Sequence, residues 1–142
     1  MTDTLQQVLV RLKSTNPKER SLALVIIGRE RFHAAADQAT DALHDPDHEV
    51  RAMAAWALDL LGSPITIPAL IEALHDSVFD VRSNAGWALV HIAQRIFPAL
   101  VVPEVVPILR DESNRDARQM AYLVLLHIGG EAAESAIEQY WK

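Results

Sequence analysis

Six histidines, three tryptophans and a scatter of carboxylates are the side chains that could do chemistry in this chain of 142 residues. An imidazole beside a carboxylate can hold a metal or move a proton, provided that several such groups converge. His48-Glu49 is the single His-Glu neighbour pair, and the His-Asp neighbours make no triad. His91 and His127 suit zinc or copper by residue type, yet no Asp or Cys in the pattern completes a site around them. No Gly-rich phosphate loop or nucleophile motif is visible, and the chain has no cysteine. The expectation is no metal, no cofactor and no catalytic residue. What remains is recognition chemistry: Trp56 and Trp87 stand 31 positions apart and carry large flat apolar surfaces.

The elements that must position them repeat. Asp45-Pro46-Asp47-His48-Glu49-Val50-Arg51-Ala52-Met53-Ala54-Ala55-Trp56-Ala57-Leu58 is answered by Asp76-Ser77-Val78-Phe79-Asp80-Val81-Arg82-Ser83-Asn84-Ala85-Gly86-Trp87-Ala88-Leu89. The register extends backward to Leu12, Ser14 and Arg20, and forward to Leu109, Asp111 and Arg118. A fixed period of this size means stacked units rather than one closed core. Each unit reads as a short helix, such as Ile67-Pro68-Ala69-Leu70-Ile71-Glu72-Ala73-Leu74, followed by a longer one. Short helices are expected near 4–13, 34–44, 65–75, 103–110 and 131–141, and long ones near 17–31, 47–61, 78–95 and 114–128. Pro17 and Pro68 suit first turns, and Gly62 and Gly129-Gly130 suit helix ends. Four residues are inserted between Ile96 and Leu109, where Pro107 predicts a kinked or late-starting helix. In the last short helix Glu138 replaces an apolar residue, as a polar cap would.

The expected fold is all-α: a right-handed α-α superhelix of about four helix pairs plus a capping helix. It forms a single domain over 1–142, with units near 4–31, 34–61, 65–95 and 98–128 and a cap near 131–141. Composition agrees. Half the residues are apolar but only 6% are aromatic, which suits helices packed closely on helices. No run of about eighteen apolar residues and no basic-then-apolar leader is seen, so a cytoplasmic protein without a membrane segment is expected. The net charge of -6 argues against nucleic acid.

The pattern Asp, then Val-Arg, then Ala-Ala-x-Ala-Leu, with a first helix of the form Ile-Pro-Ala-Leu-Ile-x-Ala-Leu, resembles the HEAT-like repeats of phycobilisome bilin-lyase subunits and bacterial adaptors. The resemblance implies a solenoid whose longer helices line the concave side. It also implies a ladder of hydrogen bonds between repeats, built from Asp45, Asp76 and Asp111 with Arg51, Arg82 and Arg118, and interrupted in the first unit, where Ser14 stands. Deoxyhypusine hydroxylase, an enzyme of this repeat class, binds iron through His-Glu pairs placed just before Ala-Ala. The matching positions here are Ser21-Leu22, Ala52-Met53, Ser83-Asn84 and Gln119-Met120, so the resemblance carries no iron site over.

In helical phase Trp56 falls about 200° from Ala54, at about 100° per residue, on the side away from the buried stripe. The column Val25, Trp56, Trp87, Leu123 then forms an apolar ridge on the concave face, with Met53 and Met120 beside it. The alternative is that each indole lies down in the groove between neighbouring helices. These six residues are the expected partner-binding set for a non-enzymatic scaffold that takes a protein or peptide. A bilin-lyase-like role with a linear tetrapyrrole is the alternative, and DNA binding ranks last. The acidic column Glu49, Asp80, Asp116 falls at helix starts, where negative charge is stabilising in any case.

Overall fold

The computed structural model describes residues 3–142, in which nine α-helices follow one another without a strand. They are α1 (Leu5–Leu12), α2 (Pro17–Arg29), α3 (Ala36–Asp41), α4 (His48–Leu61), α5 (Ile67–Ala73), α6 (Phe79–Arg95), α7 (Val102–Arg110), α8 (Arg115–Ile128) and α9 (Glu131–Tyr140). Local chemistry sets these boundaries. The side chains of Asn16, Asp47 and Asn114 accept backbone N–H groups at the starts of α2, α4 and α8. Thr4 and Gln7 close a reciprocal capping box on α1. Gly62 ends α4 at φ 67°, a left-handed conformation that glycine adopts without strain. The expected short helix near 34–44 is realised as the six residues of α3 with a 3-10 turn at each end.

Pro107 does not break α7, which runs unbroken from Val102. Pro103 and Pro107 both face outward, where water can replace the hydrogen bond that Pro107 cannot give to the Pro103 carbonyl. The inward face of the same helix buries Val102, Val105, Ile108 and Leu109.

The long helices α2, α4, α6 and α8 pack side by side in sequence order as one layer, and the short helices cover them from the other side. The buried seam is made of the repeated helical hearts: Ala23, Leu24 and Ile27; Ala54 and Leu58; Ala85 and Leu89; Ala121 and Leu125, all with no exposed surface. Small residues let the helices approach closely. A Cβ on Gly28 would lie 2.9 Å from Cζ3 of Trp56 and 3.3 Å from Cα of Ala57, and one on Gly86 would lie 3.1 Å from the Met120 sulfur. The whole is a right-handed α-solenoid closed at its C-terminal end by α9. There Arg118 lies over Trp141, and Tyr122 stacks on the same indole at 4.4 Å.

The arginine ladder exists, but its gap is not where the sequence placed it. Arg20 donates to Asp45 through Nε at 2.8 Å and Nη2 at 2.9 Å, and also to the Ser14 carbonyl at 3.0 Å. The carbonyl contact needs no Asp side chain, so Ser14 serves it as well as Asp45 and Asp76 do. Arg51 repeats the pattern with Asp76 and with the Asp45 carbonyl. Arg82 reaches the Asp76 carbonyl at 2.9 Å but not Asp111, whose carboxylate accepts instead from the amide and hydroxyl of Ser113. The residues inserted after Ile96 carry Asp111 out of register. Among the described residues, the buried Nε of Arg82 has no hydrogen-bond partner, and Arg118 turns to the carbonyls of Leu109 and Tyr140.

Candidate functional site

The first turns of α4 and α6 and the middles of α2 and α8 meet on the inner face of the long-helix layer. Two depressions lie there. The larger, of about 410 Å³, spans α2, α4 and α6; Leu22, Val25 and Met53 supply apolar surface, and His48, Glu49 and Asp80 its ionisable side chains. The smaller, of about 70 Å³, lies between α6 and α8 and is lined by Phe79, Trp87, Met120, Leu123 and His127 among others. Ser83 lines both, so the two depressions adjoin on the face of the long-helix layer. No Lys or Arg lines either part. Among the described residues, Glu49 and Asp80 have no basic side chain within 4.0 Å.

Of the six expected residues, the structure brings Val25 and Met53 into the larger part and Trp87, Leu123 and Met120 into the smaller. Trp56 lines neither. Its ring lies over Gly28 in the seam between α2 and α4, so it is half-buried and fills the space that a side chain at 28 would occupy. One repeat on, the position on α4 that matches Gly28 is Asp59, whose carboxylate pairs with His91, so Trp87 has no bare glycine to lie over. Trp87 is left 44% exposed. The expected ridge of four equivalent side chains is therefore one projecting indole among half-buried neighbours.

Trp87 is held between two imidazoles. It stacks on His91 at 5.7 Å between ring centres and 28° between planes, and meets the His127 ring edge-on at 4.8 Å. His91 Nδ1 donates to the Asp59 carboxylate at 2.8 Å, a partner on the neighbouring helix that the repeat register did not show. His127 Nδ1 donates to the Leu123 carbonyl at 2.7 Å. The indole keeps the two imidazoles apart, and among the described residues no three of His, Cys, Asp and Glu are grouped to hold a metal ion. Phe79, and the pairing of Asp59 with His91, are what sequence reading missed. Phe79 is 59% exposed at the rim, and its counterparts His48, Pro17 and Arg115 gave no hint of an apolar position.

Antiparallel helix pairs stacked in register, with their longer members lining one grooved face, define the class as an α-solenoid of the HEAT type. The profile described as HEAT repeats matches residues 2–90, and this chain belongs to that family. Among solved structures it is similar to the crystal structure of an engineered protein, at 20% identity and a TM-score of 0.60 over 98% of this chain and 68% of that one. That likeness bears on the fold alone. No curated protein matches the chain.

Proposed function

We propose that the chain is a non-enzymatic scaffold that holds a segment of a partner protein in the groove across α2, α4, α6 and α8. The observation that carries this reading is the adjacency of the two depressions at Ser83, with Trp87 exposed beside them. A large aromatic side chain held firmly at the surface loses little freedom on binding, which is why such residues dominate interfaces. The stacking on His91 and the contact with His127 supply that firmness. A linear tetrapyrrole, anionic through its propionates, is disfavoured by the carboxylates of Glu49 and Asp80, and nucleic acid by the same field. No helix among the described residues is long and apolar enough to cross a membrane.

The test is retention of proteins from the source lysate by immobilised wild type and Trp87→Ala, matched for helix content by circular dichroism. Loss of the same retained species with Trp87→Ala supports the groove. Undiminished retention by a folded variant removes it.

A further inference from the structure

The occupant's chemistry can be read from the two ends of the groove, taking it as the partner-binding surface proposed above. One end offers Glu49 and Asp80, unpaired with any basic side chain among the described residues, above the apolar surface of Val25 and Met53. The other end offers Trp87, Leu123 and Phe79 around a small pocket. Lys and Arg are absent from the lining throughout. We infer that the groove takes an extended segment of a partner protein carrying Lys or Arg at one point and a large aliphatic or aromatic side chain a few residues away.

The spacing follows from helix geometry. Asp80 and Trp87 are seven residues apart on α6, roughly 10 Å along its axis at about 1.5 Å per residue. The Trp87 pocket lies toward α8 and the Glu49 side toward α4, a sideways offset of about one helix spacing, 8–10 Å. The diagonal is then about 14 Å, which an extended chain covers in roughly three to five residues. A shorter separation cannot engage both ends at once. A neutral or acidic segment would leave the carboxylates without compensation as they lose water.

Random dodecapeptides displayed on phage are selected on the wild-type protein, and the clones are re-tested on Trp87→Ala and on the double variant Glu49→Gln/Asp80→Asn. All three altered residues are exposed, and circular dichroism verifies the fold of each variant. The expected clones depend on Trp87 and carry Lys or Arg three to five residues from a large apolar residue. As synthetic peptides they bind the double variant about 10-fold more weakly, and the wild type more weakly as salt rises from about 50 to about 500 mM. Trp87-dependent clones that are neutral or acidic, or indifferent to the double variant, overturn the cationic occupant and leave the groove standing. An absence of Trp87-dependent clones overturns both.

Discussion

Arg51 grips Asp76 with two hydrogen bonds, 2.8 Å from Nε and 3.2 Å from Nη2, and so fastens one repeat to the turn of the next. Asp76 also accepts from the Val78 amide at 2.9 Å, which fixes the turn that leads into α6. Removing the carboxylate leaves a largely buried guanidinium unpaired, and Asp76→Ala should cost about 2–4 kcal/mol in urea unfolding. Asp111 hydrogen-bonds only within its own turn, and Asp111→Ala should lower the urea midpoint much less than Asp76→Ala. Equal losses from the two variants would show that the turn, rather than the ladder, carries the stability.

The preceding rung gives a pH dependence with a definite sign. Burial pushes the Asp45 carboxyl up, but the Arg20 hydrogen bond, the Asp47 amide and the charges of Arg20 and Arg51 together hold it below the usual range. Hydrogen bonding to Asp45 in turn raises the Arg20 guanidinium. A carboxyl depressed in the folded state stabilises above its unfolded value of about 3.9, and that contribution is lost as pH falls through the folded value. The stability difference between wild type and Asp45→Asn should therefore be full at neutral pH and shrink below about pH 4. A difference that grows in acid would refute the assignment.

Gly28 and Gly86 should respond differently to alanine, which favours helix by about 1 kcal/mol. At Gly28 the new methyl meets the Trp56 ring, Leu60 and the Ala57 backbone, all at 3.3 Å or less, and the clash should outweigh the gain by about 1–2 kcal/mol. At Gly86 the methyl meets the flexible Met120 sulfur at 3.1 Å and Val124 at 3.2 Å but no backbone, and the change should cost less than at Gly28. Thermal unfolding of the two variants decides the order.

The two repeat-related tryptophans should also part company. Trp56→Ala empties the space over Gly28 and should destabilise by about 2 kcal/mol, below the cost of a fully buried ring. Trp87→Ala removes an exposed ring and should stay within about 1 kcal/mol of wild type. If Trp87→Ala is the more damaging variant, the indole serves the core and not a partner.

Much of this was legible in the period. The repeat of Asp76-Ser77-Val78-Phe79-Asp80 after Asp45-Pro46-Asp47-His48-Glu49 announced the helix pairs, and the apolar phase within each unit located the buried hearts. What the period could not carry was the departure of each unit from its neighbours. Trp56 and Trp87 are equivalent in sequence, but the positions they would cover on the preceding long helix are not: Gly28 lies beneath Trp56, whereas Asp59 stands in the matching place on α4. The Asp59–His91 contact joins residues from different columns, so a search by column passes over it. Asp111 failed as a rung because an insertion upstream shifted it, a three-dimensional effect of chain length that no local motif records.

That failure has a mechanical consequence. Clasps of arginine on aspartate resist sliding in a defined direction, whereas between α6 and α8 only a long Arg82–Asp116 approach of 3.9 Å and a Gln94 bond of 3.4 Å to the His127 carbonyl supplement the apolar contacts. Stretched from its two termini, the molecule should yield first at this joint, and the Trp87 pocket, which straddles the same joint, is the part of the surface whose width would change with the solenoid's curvature.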